Sequence, residues 1–216
     1  MIKKLIFLVP SLLLLSYGLQ AADCAPGTMA IYDAPGFSCT LSGVTFSNFT
    51  YTAIASGAFA PPDTGVNVTP QFVGDEFGFR FTAAWLVGPQ QADDSFFTYT
   101  ASCEPACLTD VALKFVGSAD GGGSASVVEQ TSNGVNLFAT PGNPNPPPAT
   151  FAPIGSIDLE KDIGLSGGQN GNGHISAVFN YFSKSTTVPE PSLVLLCMGL
   201  LATIAVGSRM KRRKLS

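Results

Sequence analysis

The chain has 216 residues, with 11 Lys or Arg against 15 Asp or Glu, a net charge of −4 and only 12% charged residues, about half the usual globular share. This balance supplies no basic stripe for phosphate contacts and so excludes nucleic-acid binding as a reading, while 45% hydrophobic residues exclude a disordered polyelectrolyte. The 23 glycines and 16 prolines punctuate short apolar runs rich in the 16 phenylalanines, the composition of an all-β protein.

The first predicted element is a targeting segment over residues 1–22. Lys3 and Lys4 precede an apolar run from Leu5 to Leu15, and Tyr17 to Ala22 turns polar and small; these are the three parts of a secretory signal peptide. The run is short for spanning about 30 Å of hydrocarbon, which disfavours a permanent anchor there. Charge is segregated in the same sense. Seven of the 11 basic residues sit in the two ends, so residues 23–188 carry 14 acids against 4 bases, a body repelled by anionic lipid and nucleic acid.

Cys24, Cys39, Cys103 and Cys107 lie in that body and Cys197 in a late apolar segment. In an oxidising compartment four cysteines read as two disulfides with three possible connectivities. Proximity favours Cys24 with Cys39 and Cys103 with Cys107. The spacing of the second pair is CxxxC and the single histidine, His174, has no cysteine near it in sequence, so redox and zinc sites are the poorer readings.

Period-two alternation then marks the strands. Val44 to Tyr51 changes parity between Phe46 and Phe49, which predicts a bulge at Ser47-Asn48. Val66 to Phe72 follows, then Phe77, Phe79, Phe81, Ala83 and Trp85 on one face; Phe97, Tyr99 and Ala101; Val111, Leu113 and Phe115; Ala125 to Gln130; Val135, Leu137 and Ala139; Ile157, Leu159, Ile163 and Leu165 around Lys161; and Ile175 to Phe182. No window of the body shows a helical period. Turn chemistry separates these runs at Pro61-Pro62-Asp63, Gly88-Pro89, Gly121 to Gly123, Pro141 to Pro148 and Gly164 to Gly173. About ten short strands at this spacing predict an all-β fold over residues 23–183, a single two-sheet β-sandwich with a jelly-roll arrangement among its forms.

The body offers little chemistry. No GxSxG or phosphate loop occurs, and His174 has no second histidine to share a metal. Asp158, Glu160 and Asp162 share one strand face as candidate Ca²⁺ ligands, or form the solvated face opposite Ile157, Leu159 and Ile163. The acidic pairs Asp75-Glu76 and Asp93-Asp94, each expected in a turn, would suit two-carboxylate glycoside hydrolysis only across a common cleft. Trp85 and the tyrosines are either a sugar-stacking platform or core. Thr50-Tyr-Thr52 and Thr98-Tyr-Thr100 are too few for a threonine array. No catalytic residue and no cofactor are assigned.

After a short spacer at 184–188 comes Val188-Pro189-Glu190-Pro191. An uncharged stretch over 192–208 follows, and then Arg209, Lys211, Arg212, Arg213 and Lys214. The stretch is at the lower limit of a transmembrane helix, and the basic cluster should stay cytoplasmic as a stop-transfer signal, holding the acidic body outside. This order, over residues 189–214, resembles the PEP-CTERM sorting signal of Gram-negative bacteria, also known as the carboxyl-terminal domain of ice-binding proteins, with its motif at Pro189, Glu190 and Pro191. The resemblance implies an exosortase substrate, recognised and cleaved near the motif by a membrane cysteine transpeptidase. The stretch from Cys39 to Tyr51, Phe77-Gly-Phe-Arg-Phe81 and Lys161-Asp-Ile163 resemble a recurring group of PEP-CTERM proteins without assigned activity.

The expected function is therefore that of an exported, non-enzymatic protein of the cell surface or extracellular matrix. Its partners would be an exosortase, the membrane through the carboxyl-terminal helix before processing, and exopolysaccharide. It would pass through an inner-membrane-anchored precursor. The alternative is a secreted carbohydrate-binding or carbohydrate-active β-sandwich that uses the tail for delivery only.

Overall fold

Alternating runs that are apolar on one side must cover that side, and here they do so face to face. The computed structural model describes residues 22–185. The chain order is β1 (Ala22–Asp23), β2 (Gly27–Thr28), a single helical turn α1 (Met29–Tyr32), β3 (Ser38–Leu41), β4 (Val44–Ser56), a 3₁₀ turn at Asp63–Gly65, β5 (Asn67–Val73), β6 (Glu76–Thr82), β7 (Trp85–Val87), β8 (Ala92–Ser102), β9 (Leu108–Asp120), β10 (Ser124–Thr131), β11 (Asn136–Ala139), β12 (Ala149–Ile154), β13 (Ser156–Ser166) and β14 (Asn172–Lys184).

These make two seven-stranded sheets. The first runs β1-β3-β4-β8-β13-β10-β11, and the second β12-β9-β14-β6-β5-β2 with β7 also against β14. All pairings are antiparallel except β1 with β3. The expected β-sandwich is present. The alternation from Phe77 to Trp85 is split: β6 and β7 lie in succession against β14, with Phe77, Phe79, Phe81, Trp85 and Val87 all buried, so parity survives the break at Ala83-Ala84. The run from Ala149 to Ile154 and the turn at Met29–Tyr32 carry too few apolar residues in period to be found by alternation.

Two bulges decide which side chains face inward. In β4 the pairing with β8 shifts between Ser47 and Thr50, and Asn48 takes φ 56°; both Phe46 and Phe49 thereby enter the core. In β14 the pairing with β9 shifts between Ile175 and Ala177. Before the shift Gly173 and Ile175 face in; after it Val178, Asn180 and Phe182 do, while Phe179 takes the outer surface beneath the cations of Arg80 and Lys114. A bulge inserts one residue and re-aims everything beyond it.

The core is aromatic at its centre. Tyr99 stacks on Phe49 at 5.1 Å between ring centroids, and Phe46, Phe79, Phe81 and Phe182 meet edge-on or tilted around them. The turn α1 closes one end by placing Tyr32 against Phe37, Phe49 and Phe79 while its hydroxyl donates to the Ala25 carbonyl at 2.7 Å. Rings packed edge to face add stabilisation beyond their buried area.

Both proximal disulfides form: Cys24–Cys39, 15 residues apart, and Cys103–Cys107, 4 apart. The first fastens the amino-terminal segment to β3 and so holds β1 on the sheet edge. Replacing Cys24 and Cys39 by Ser is expected to lower unfolding stability by about 3 kcal/mol, the entropy returned to a loop of that length. Urea midpoints of the wild-type and double-Ser chains measure the difference.

Candidate functional site

Because successive strand residues point to opposite faces, each sheet presents one outer surface. On the first sheet that surface is built from rows running across four or five strands. Phe96 of β8 is flanked by Thr52 of β4 and Asp162 of β13; Asp162 is paired with Val128 of β10, and Val128 with Phe138 of β11. In the next row Thr50, Thr98, Glu160 and Gln130 stand side by side. A shallow groove of about 400 Å³ follows β10 and β13, lined by Asp94, Ser126, Val128, Asp162, Gly164 and Ser166. A second recess of about 80 Å³ adjoins it, lined by Phe96, Val128, Gln130, Glu160 and Asp162.

The groove is acidic and partly apolar. Asp94 and Asp162 both line it, and desolvation among crowded side chains, together with the neighbouring Asp94 carboxyl, pushes Asp162 up to about 6. Phe138 is 54% exposed beside it. On the other flank Thr50 and Thr98 are hydrogen-bonded at 2.6 Å, and Thr100 donates to Asp158 at 2.8 Å and accepts from Asn48 at 3.2 Å. The two Thr-Tyr-Thr segments are thus neighbours. The surface offers carboxylates, hydroxyls and an amide beside exposed phenyl rings, a donor and acceptor array suited to a polyhydroxylated ligand laid across a sheet.

The residues singled out from the sequence fall as follows. Asp158, Glu160 and Asp162 face outward along β13, on successive rungs. Among the described residues no three His, Cys, Asp or Glu side chains come together as a metal site. Asp93 and Asp94 stand within β8 and not in a turn, so they point to opposite faces: Asp93 is 2% exposed in the core and Asp94 lines the groove. Their carboxyl groups therefore do not converge on one point. Asp75-Glu76 does lie at the turn between β5 and β6. Trp85 is 0% exposed, with its indole nitrogen donating to the Ser95 hydroxyl at 3.1 Å, and is core; it offers no platform for sugar. His174 sits on β14 opposite Leu86 and Ser118. The sorting motif Pro189 to Pro191, the apolar stretch 192–208, Cys197 and the basic cluster lie outside the described residues, as does nearly all of segment 1–22. Among the described residues no helix is long and apolar enough to cross a membrane.

The sequence reading missed the polar groups inside the sandwich. Lys161 of β13 and Glu129 of β10 are direct cross-strand partners, both 0% exposed, and form an ion pair. The other oxygen of Glu129 accepts from Asn180 Nδ2 at 3.1 Å, across the gap between sheets. Nδ2 also donates to the Ala112 carbonyl at 3.1 Å, and the Tyr99 hydroxyl donates to Asn180 Oδ1. Burial lowers Lys161 to about 7 and raises Tyr99 well above the usual phenol range. The signal in the sequence is parity: Lys161 stands in step with Ile157, Leu159 and Ile163, Glu129 with Ala125 and Val127, and Asn180 with Val178 and Phe182.

No family model and no curated protein matches the chain. Among solved structures it is similar to TmCBM61 in complex with β-1,4-galactotriose, at 11% identity and TM-score 0.29 over 62% of this chain and 88% of that one. It is also similar to the family 11 carbohydrate-binding module from Clostridium thermocellum in complex with a β-1,3-1,4-mixed-linked tetrasaccharide, at 11% identity and TM-score 0.24 over 73% and 96%. Likeness at that level carries no functional inference.

Asp93 sets a pH response. Neither of its oxygens has a hydrogen-bond partner, and burial pushes it up to about 6 from 3.8. The folded chain therefore holds this proton more tightly than the unfolded one. The resulting destabilisation is nil below about pH 4, grows as pH rises through 4 to 6, and is complete above that. Asp93→Asn is expected to raise stability by about 3 kcal/mol at ~pH 7.5 and by almost nothing at ~pH 3.5, read as the difference between urea midpoints at the two pH values.

Proposed function

We propose that the chain is an exported, non-enzymatic protein of the cell surface or extracellular matrix, delivered by a PEP-CTERM-type signal. The observation that carries this is the register of the tail: Pro189-Glu190-Pro191, an uncharged stretch of membrane-helix composition over 192–208, and a basic cluster over 209–214, all behind a body closed by two disulfides. Disulfides persist in oxidising compartments, which supports export. In this reading residues 1–22 are removed as a signal peptide and 192–208 spans the inner membrane with the basic cluster inside. Pro189 to Pro191 is the element an exosortase reads. When the chain is expressed with its native sorting protease, the mature protein should lose the segment beyond the motif and leave the membrane fraction; without the protease, or with Glu190→Ala, it should stay full-length at the carboxyl end and membrane-bound. Equal mass and fraction in all three cases would overturn the proposal.

A second reading, binding of polysaccharide by the sandwich, is favoured by the groove on the outer face of the first sheet, where Phe96 and Phe138 stand beside Asp94, Glu160 and Asp162. Aromatic faces stack on the C–H faces of sugars while carboxylates accept from hydroxyls, and such contacts together give modest affinities. Pull-down on insoluble polysaccharide should drop by about tenfold for Phe96→Ala or Asp162→Asn, a loss of roughly 1.4 kcal/mol, with the thermal midpoint held. Retention that is unchanged in both variants would place binding elsewhere.

A further inference from the structure

The buried polar groups between the sheets have a composition and an arrangement that packing does not require. An ion pair sealed from water is costly, and apolar residues of the same volume are often as stable or more so. Here a lysine, a glutamate and an asparagine, all 0% exposed, are set among aromatic and aliphatic neighbours. Phe97 flanks Lys161 and Leu137 flanks Glu129 within the first sheet, and Leu113 and Phe79 flank Asn180 within the second. One carboxylate serves both nitrogens, with Oε2 to Lys161 Nζ and Oε1 to Asn180 Nδ2.

Each atom has a chemical role in that arrangement. Burial lowers Lys161 to about 7, so a free amine, the nucleophilic form, is accessible near neutrality. The Asn180 carboxamide is the electrophile. Its oxygen accepts from the Tyr99 hydroxyl, which is where negative charge develops when an amine adds to an amide, and a donor fixed at that point lowers the barrier. Its nitrogen, the group that must leave, faces the Glu129 carboxyl that also faces the amine, so a single group is placed to take a proton from one and give a proton to the other. Water, the competing nucleophile, is excluded by the closed core.

We propose that Lys161 and Asn180 become joined by an intramolecular amide bond, formed once per chain with Glu129 as the proton shuttle. Proton transfer within the ion pair gives the free amine and a protonated Glu129. Lys161 Nζ attacks Asn180 Cγ, forming the new C–N bond, and the oxyanion is held by Tyr99. Glu129 then gives its proton to Nδ2 and takes one from Nζ. The Cγ–Nδ2 bond breaks, ammonia leaves, and the products are a secondary amide and Glu129 still protonated. Nothing is oxidised or reduced and no co-reactant is needed. The result ties β13 of the first sheet to β14 of the second through a neutral link and removes the buried charge pair. This goes beyond the delivery reading and does not depend on it.

The test is peptide mass mapping of the purified full-length chain after denaturation and reduction of the disulfides. Trypsin cuts an unmodified chain at Lys114, Lys161 and Lys184, giving peptides 115–161 and 162–184. The linked chain should instead give one 115–184 peptide lighter by the mass of one ammonia, and a second protease cutting between 162 and 179 should leave two pieces still joined. Glu129→Gln keeps a hydrogen-bonding side chain but removes the shuttle, and should return the two separate peptides at unchanged mass. Should that variant fail to fold, the wild-type map decides by itself. Separate peptides from the wild type, an uncut 115–184 peptide of unaltered mass, or a link to Glu129 with loss of water would each overturn the proposal.

Discussion

The whole sandwich is organised about one constraint: a lysine ammonium and a glutamate carboxylate enclosed between two sheets must find every partner they need from within the protein. Leaving either alone in the core would cost several kcal/mol. Lys161 and Glu129 satisfy one another because antiparallel pairing sets them directly opposite on β13 and β10. The remaining carboxylate oxygen reaches across the gap to Asn180, whose amide is completed by Ala112 and Tyr99. A register slip of one residue in β10, β13 or β14 would turn one of these groups to the outer surface and strand the others. The network thus fixes the alignment of the sheets more tightly than the nondirectional contacts of the phenyl rings around it.

That demand reaches into the backbone. Asn180 faces the core only because β14 carries an extra residue near Ser176, and the same bulge sends Phe179 outward to lie beneath Arg80 and Lys114. An aromatic side chain left on the surface by the bulge is covered by cations, an arrangement that favours both partners at modest gain. On the other sheet the bulge at Asn48 brings Phe46 and Phe49 to the same face, and Phe49 then stacks on Tyr99, the hydroxyl donor to Asn180. Core packing and the polar network therefore meet at Tyr99.

The two outer faces differ. The second sheet carries Arg80, Lys114 and Phe179, whereas the first carries Asp94, Asp158, Glu160 and Asp162 beside Phe96 and Phe138. Four of the 14 acids of residues 23–188 thus stand together on one outer face, and there desolvation first, and the neighbouring Asp94 second, pushes Asp162 up to about 6. A surface of this kind repels anionic polymers and lipid while still offering acceptors to neutral hydroxylated ones.

Much of this was legible in the residues. Alternation found most strands because a strand with one buried face must repeat every two residues, and the parity change between Phe46 and Phe49 found the bulge in β4. Short sequence separation was enough to pair the cysteines. The charged pattern of the ends, Lys3-Lys4 and Arg209 to Lys214 about an acidic middle, is likewise a property of sequence alone. Tertiary structure decided the rest. Asp93 and Asp94 look alike in sequence, and only their place within β8 puts one in the core and the other in a groove. Lys161, Glu129 and Asn180 could each be suspected from parity, but Glu129 and Asn180 are 32 and 19 residues from Lys161 along the chain, and nothing local brings them together. Cross-strand register and the bulge in β14 do so, since they alone determine which distant side chains meet in a space that water cannot enter.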